Sequence, residues 1–372
     1  MKQNGYKIAV EHLLKVSGIT INGPNAWDVQ VLNENFYKRV LGNGSLGLGE
    51  AYMDGWWDAA NLDELVYRKL RAKLENKTKN FRLIAPFLKA KIFNYQNKPG
   101  AVEVAEKHYD VGNELYSKML GPTMVYTCGY WKDAKNLEES QIAKMDLVCR
   151  KMGLKPGMKV LDLGCGFGGF MKFAAEKYKV NCVGLNISKE QVRFGQKFCQ
   201  GLPVEFRLID YREAEGMFDR IVAIGLTEHV GYKNYGELFK VANSCLKDGG
   251  LFLLHTIGNN ESITIGDPWI SKYIFPNGML PSIKQLSGAM EKLFILEDLH
   301  NFGTDYEKTL MAWFKNFDDN WDSLKNNYDD RFYRMWKYYL LQCAGIFRAR
   351  KAQLWQLVLS KNGVLDGYNS IR

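Results

Sequence analysis

Residues 160–170 read VLDLGCGFGGF, an apolar run that ends at Asp162 and opens into a turn with glycines at 164, 166, 168 and 169. Glycine carries no Cβ, so a ligand can lie directly on this backbone, and a helix expected to begin near Phe167 would point its free amides at it. Gly164, Gly166 and Gly169 also satisfy the dinucleotide fingerprint, and a tight strand-to-helix turn with no ligand uses the same residues. The surroundings weigh against a dinucleotide. Asp162 stands two residues before the first glycine, where its carboxylate can face a ligand ammonium. The next apolar run, VNCVGLN, ends at Asn186 rather than at a ribose-binding acid. An adenosine with an amino-acid tail fits better, and S-adenosylmethionine is the expected cofactor.

From about Met158 the pattern alternates between strands and helices: MKVLDLG, a helix to Tyr178, VNCVGLN, a helix from Ser188, VEFRLID, FDRIVAIG, a helix from Tyr232, and LFLLHTIG. This is the rhythm of a doubly wound parallel sheet. Ser188 is a good N-cap with Glu190 in the first turn, and Gly249-Gly250 is expected to close the helix before LFLLHTIG. Ligands of such sheets bind beyond the carboxyl ends of the strands, where Asp162, Asn186, Asp210, Glu228 and His255 are expected.

Residues 1 to about 66 read as short helices, with an aromatic and glycine-rich loop, GSLGLGEAYMDGWWD, from Gly44 to Asp58. That loop predicts a packed connector containing Trp56 and Trp57. The 372 residues allow two or three domains, and 46% hydrophobic content fills a sizeable core. Lys98-Pro99-Gly100 is a candidate boundary, dividing a helical N-terminal domain, 1–100, from a catalytic domain, 101–372.

The formal charge of +9 is concentrated between Tyr67 and Lys98, where ten basic residues face one acid, Glu75. The rest of the chain is therefore close to neutral, and an anionic surface is expected to be met here. Phe81, Leu83, Ile84, Phe87, Leu88, Ile92 and Phe93 are interleaved with the bases, which suits a lipid headgroup region. A solvated helix face packing inward has the same pattern. Met1 is not followed by an apolar leader, and no apolar run reaches membrane-spanning length, so a cytoplasmic protein at the inner face of the membrane is expected. The seven cysteines form no CxxC pair, which predicts free thiols and no metal.

EKHYDVGNELY (106–116), YTCGYW (126–131), VLDLGCGFGG, GLTEHVG (225–231), LLHTIG (253–258) and DPWISKYIFPNGMLPS (267–282) resemble the cyclopropane-fatty-acyl-phospholipid synthases, and so do FGTDYEKTLMAW (302–313) and CAGIFRARKAQLWQ (343–356). The resemblance runs nearly end to end. It implies a class I, Rossmann-like S-adenosylmethionine-dependent methyltransferase, α/β, with a seven-stranded mostly parallel sheet and a smaller helical N-terminal domain. It implies methylene transfer to the cis double bond of an unsaturated acyl chain on a membrane phospholipid, and a homodimer.

The family's bicarbonate site is matched at Cys128, Glu228, His255, the backbone of Ile257, and Tyr306. Methyl transfer to an alkene leaves a carbocation, and ring closure needs a base to take a proton from the new methyl. A bound anion can be that base, with Tyr306 and the Ile257 amide donating to it, His255 donating, and Glu228 accepting. For the cofactor, the resemblance implies Tyr126 and Thr127 over the methionine part, Gly164 and Gly166 as cradle, Asn186 and Gln191 on the ribose side, and Asp210 and Tyr211 on the adenine side. Tyr130, Trp131 and Trp269 are candidates to stabilise positive charge through their faces. Cys343 lies in a family motif whose cysteine is a candidate catalytic residue, although the chemistry needs no thiol nucleophile once a base is present.

Two other classes fit less well. A nucleic-acid methyltransferase would carry an Asn/Asp-Pro-Pro-aromatic motif or a Pro-Cys nucleophile, and LTEHVG stands in place of the first while no Pro-Cys occurs. A lipid-binding module would not need the cofactor turn. The nearest rival stops at a methyl branch.

Overall fold

A computed structural model describes residues 3–74 and 112–372. The basic segment beyond Leu74, the candidate boundary at 98–100 and the first half of EKHYDVGNELY lie outside these described residues.

Seven strands form the main sheet: β1 Lys159–Asp162, β2 Asn181–Asn186, β3 Val204–Leu208, β4 Phe218–Ile224, β5 Leu246–Asn259, β6 Ile295–Asn301 and β7 Ala352–Ser360. Their order is β3-β2-β1-β4-β5-β7-β6, with β1 to β5 parallel and β7 antiparallel to both its neighbours. The α/β class, the seven strands and the mostly parallel sheet are as expected. Successive side chains alternate between the two faces. Leu161, Ile221, Phe252 and Leu357 join one apolar cluster, while Val160, Val222, Leu253 and Val358 join another. Helices cover both faces, which is why the central strands read as unbroken apolar runs. The strand order reverses between β1 and β4, so the crevice beyond their carboxyl ends is the place for a ligand.

Local signals set several boundaries. The Ser188 hydroxyl accepts from the Gln191 amide and starts the helix Lys189–Phe198. Asp267 caps Pro268–Tyr273 at two amides, and Asn136 caps Leu137–Lys151. Two expectations differ. The helix before β5 ends at Cys245, and Gly249-Gly250, with Gly249 at φ +71°, lies in the irregular start of the strand. The expected loop from Gly44 is largely helical, because Asn35–Met53 continues through a kink at Gly44. Gly49 is needed there since a Cβ would run into the Trp269 ring, so tertiary packing overrides glycine's poor helix propensity.

The N-terminal helices share a core with the C-terminal ones. Trp57, Leu62 and Leu65 pack in one cluster with Trp336, Tyr339 and Leu340. Arg348 on the helix Asp330–Arg348 pairs with Asp63 at 3.0 Å on the helix Leu62–Arg71. Among the described residues, no helix is long and apolar enough to cross a membrane.

Candidate active site

A cavity of about 450 Å³ opens at the switch point. Tyr126, Thr127, Asp162, Gly164, Gly166 and Gln191 lie in its wall on the cofactor side. Glu228, Ile257, Tyr306 and Cys343 line the same cavity. Residues spread over more than 200 positions of sequence are thus brought to one space.

The glycine turn differs slightly from expectation. Its helix begins at Gly169, with Gly168 as a left-handed N-cap. Gly166 also has a left-handed backbone, φ +53°, and nothing stands within 4 Å of the place a Cβ would take. Gly168 is required by packing instead, since a Cβ there would meet the Phe206 ring. Asp162 Oδ1 accepts from the Gly164 amide at 3.2 Å, and burial pushes its carboxyl up to about 7. Asn186 does not line the cavity. Its Nδ2 donates to the Gly166 carbonyl at 3.0 Å and to Gln191 Oε1 at 2.9 Å, while its Oδ1 accepts from the Ser188 amide, so it ties the glycine turn to the next one. Asp210 and Tyr211 also stand outside the wall. Asp210 accepts from the Arg212 amide and pairs with its guanidinium at 3.3 Å, and that guanidinium lies 5.0 Å from the centre of the buried Tyr211 ring.

The Ile257 amide donates to Glu228 Oε1 at 2.6 Å. The amide expected to face an anion is therefore held by Glu228. The second oxygen, Oε2, is buried with no partner among the described residues, and burial raises this carboxyl to about 7. His255 lies on β5 opposite Gln356 of β7, whose Nε2 stands 3.2 Å from His255 Nδ1. Nε2 of the same ring is buried without a partner among the described residues, as is Gln356 Oε1. Burial drives the imidazole pKa well down, so the ring is neutral. His255 sits behind the wall rather than in it. Tyr306 is stacked on Phe347 with centroids 4.3 Å apart, and burial first, with Cys128 and Glu228 nearby, holds its hydroxyl well above the usual tyrosine range.

The two cysteines are thiols. Cys128 is fully buried, its Sγ donates to the Gly129 carbonyl and lies 3.7 Å from Thr309 Oγ1, and burial raises its pKa strongly. Gly129 and Trp131 also donate to Thr309 Oγ1, which fastens YTCGYW to the helix Asp305–Asp319. Cys343 lines the cavity, but burial pushes its thiol up to about 12, far from a thiolate.

Aromatic residues line the cavity, though not the three expected. Tyr130, Trp131 and Trp269 stand outside the wall, while Tyr126, Phe275, Tyr339 and Phe347 are in it. Tyr126 and Tyr339 share a hydroxyl–hydroxyl contact of 2.8 Å. Lys144 and His229 are further wall residues that the sequence reading passed over. His229 sits directly after Glu228 in GLTEHVG, a signal that was available; Lys144 reads as one more polar residue of an amphipathic helix.

The open cradle at Gly166 and the buried acid at Asp162 fit S-adenosylmethionine. The unpartnered Glu228 Oε2 belongs to a wall residue, whereas His255, whose Nε2 is also unpartnered among the described residues, sits behind the wall. Residues 96–357 match the family described as mycolic acid cyclopropane synthetase. The chain is 51% identical over 370 residues to the cyclopropane-fatty-acyl-phospholipid synthase of Escherichia coli strain K12, covering 99% of this chain and 96% of that one. Among solved structures it is similar to the cyclopropane synthase MmaA2 from Mycobacterium tuberculosis, at 31% identity and TM-score 0.66 over 70% of this chain and 98% of that one. The mycolic acid cyclopropane synthase CmaA1, solved with SAH and CTAB, aligns at 33% identity and TM-score 0.66 over 72% of this chain and 100% of that one. With motifs, strand order and near full-length identity in agreement, the chain belongs to the mycolic acid cyclopropane synthetase family of S-adenosylmethionine-dependent enzymes.

Proposed function

We propose that this enzyme transfers a methylene group from S-adenosylmethionine to the cis double bond of an unsaturated phospholipid acyl chain and closes a cyclopropane ring, with bicarbonate held at Glu228, His255 and Tyr306. The observation that carries the base site is the buried Glu228 Oε2, which has no partner among the described residues and belongs to a carboxyl that shares the cavity wall with Tyr306. Buried polar atoms are nearly always satisfied, so an unsatisfied carboxylate oxygen in a cavity wall is a place for a ligand.

When bound, S-adenosylmethionine supplies an electrophilic methyl carbon. Gly164 and Gly166 give it backbone to lie on, and Asp162 offers a buried acid to its ammonium. Asn186 holds the Gly166 carbonyl in place, with Gln191 on the ribose side and Asp210 and Tyr211 assigned to the adenine side. The faces of Tyr126, Phe275, Tyr339 and Phe347 stabilise positive charge that develops on the substrate, and their apolar wall keeps water from it. Tyr306 and His255 donate to bicarbonate and Glu228 Oε2 accepts from it; bicarbonate there supplies a general base. Cys128 positions the wall through Thr309, and Cys343 packs beside the site.

Docking to anionic lipid is assigned to residues 67–98 of an N-terminal unit, 1–100, of a homodimer at the inner face of the membrane. Leu70, on the one described helix of that segment, lines the cavity, with Lys69 and Arg71 on either side in sequence. The direct test is incubation with S-adenosylmethionine and vesicles of cis-unsaturated phospholipid, followed by mass analysis of the acyl chains. A cyclopropane adds one carbon and two hydrogens and takes up no hydrogen on mild hydrogenation. A saturated methyl branch, two hydrogens heavier, or an isomeric branched alkene would contradict ring closure.

A further inference from the structure

Strand β7 is buried from end to end, and a glutamine in such a strand costs free energy unless its amide is used. Gln353 and Ser360, near the two ends, bond to Asn260 and Glu297. Gln356 stands in the middle, fully buried, and its one side-chain polar contact among the described residues is to His255: Nε2 lies 3.2 Å from His255 Nδ1, while Oε1 is unpartnered there. The registers set Gln356 directly opposite both His255 on β5 and His300 on β6, so the three side chains form one row on one face of the sheet. Phe302 packs against both histidine rings, with centroids 5.9 Å from His255 and 4.9 Å from His300.

The far end of the row is fastened. Lys151, buried at the end of the helix Leu137–Lys151, has its Nζ 3.2 Å from His300 Nδ1 and 3.5 Å from Asp298 Oδ2, and Arg372 holds the two oxygens of Asp298 at 2.6 and 2.7 Å. An ammonium donates and never accepts, so His300 Nδ1 accepts from it. Lys144 and Lys151 are the charges that act on His255, and both oppose a proton added to a ring that burial already keeps neutral. A neutral imidazole donates from one nitrogen only, so a histidine that is to donate toward the cavity wall needs its tautomer fixed.

We propose that Gln356 is the positioning residue of the base site: its amide donates to His255 Nδ1, keeps the ring proton on Nε2 and so presents a donor behind the wall that holds Glu228 and Tyr306. Gln356 stands outside the cavity wall and acts through His255. His300, held by Lys151 and Asp298, closes the row on the other side of the glutamine. The assignment rests on the reading of Glu228, His255 and Tyr306 as the bicarbonate site.

The test joins a spectrum to a rate. In protein carrying 15N-labelled histidine, with the His255 signals identified by their loss in His255→Gln, the wild-type ring is expected to show a protonated Nε2 and a bare Nδ1 from pH 6 to pH 8. Gln356→Met, apolar and of similar length, should populate both tautomers, and Gln356→Glu, which can only accept, should move the proton to Nδ1 or charge the ring. Outer partners that orient a histidine at a metal are worth about 10- to 100-fold in activity, and a loss on that scale is expected in ring formation by Gln356→Met, with S-adenosylhomocysteine affinity unchanged by calorimetry. Thermal melts verify folding, and the wild-type spectrum decides if neither variant folds. A wild-type proton on Nδ1, or a folded Gln356→Met with the wild-type tautomer and rate, would overturn the proposal, and a parallel loss of S-adenosylhomocysteine affinity would make Gln356 structural. A wild type with the expected tautomer whose rate ignores bicarbonate would instead overturn the base reading.

Discussion

The Ile257 amide donates to Glu228 Oε1 at 2.6 Å and leaves Oε2 of the same carboxylate buried without a partner among the described residues. One oxygen therefore anchors Glu228 to the strand that carries His255, and the other is free to orient a ligand. Glu228→Gln keeps an oxygen for the amide but replaces the free acceptor with a donor or weakens it. Turnover is expected to fall ~100- to 10,000-fold, the range for loss of a positioned group in general-base catalysis, with S-adenosylhomocysteine affinity unchanged. A variant as fast as wild type would remove Glu228 from the site.

The same carboxyl affects stability with pH. Its pKa is about 7 in the folded chain against an ordinary value of 4.5, because burial disfavours the charge. The folded state holds the proton more tightly, so the stability contributed is fully present below pH 4.5 and is lost as pH rises through 7. Glu228→Gln cannot ionise and escapes this loss. The variant should gain on wild type between pH 5 and pH 8 by on the order of 1 to 3 kcal/mol in urea or thermal unfolding. A difference that stays constant across that interval would contradict an ionised, buried Glu228.

Gly166→Val should abolish S-adenosylmethionine binding measured by calorimetry, since Val is strained at φ +53° and fills the open cradle. Gly168→Ala is expected to fail differently, lowering the melting temperature because its methyl meets Phe206. A folded Gly166→Val with normal affinity would make the turn purely structural.

Membrane docking is assigned to charge. Each base near an anionic surface contributes ~1 kcal/mol, so changing Lys69, Arg71, Lys73 and Lys77 together to Gln should sharply reduce sedimentation with anionic vesicles and flatten its salt dependence. Affinity for S-adenosylhomocysteine should not move. Undiminished sedimentation would place docking elsewhere.

Cys343→Ser is expected to retain activity within about tenfold, because a thiol held near 12 supplies almost no thiolate at neutral pH. Trapping of a covalent adduct at Cys343 during turnover would contradict a packing role.

What the sequence made legible follows locality. The Asp162–Gly169 turn, the Ser188 cap and the strand-end position of Asn186 are all encoded within a few residues, and the structure places them accordingly, whereas Glu228 lies in the short helix Thr227–Val230 beyond β4 and His255 lies inside β5, four residues before its end. Lys144 was not legible, because LEESQIAKMDLVCRK reads as an ordinary surface helix until Thr127 packs against it. Gly44–Met53 read as loop because propensity says nothing of Trp269, which lies more than 200 residues away and leaves room only for hydrogen at Gly49. The Glu228–Ile257 bond escaped for a similar reason: the roles of both residues were legible, but not that one would occupy the other.

The most direct measurement is the bicarbonate dependence of ring formation, read by mass in carefully degassed, bicarbonate-free buffer. Wild type should be slow and recover on adding bicarbonate, while Glu228→Gln recovers poorly at the same concentration. Full wild-type activity without bicarbonate, with Glu228→Gln indistinguishable from it, would contradict the mechanism and make a protein side chain the base.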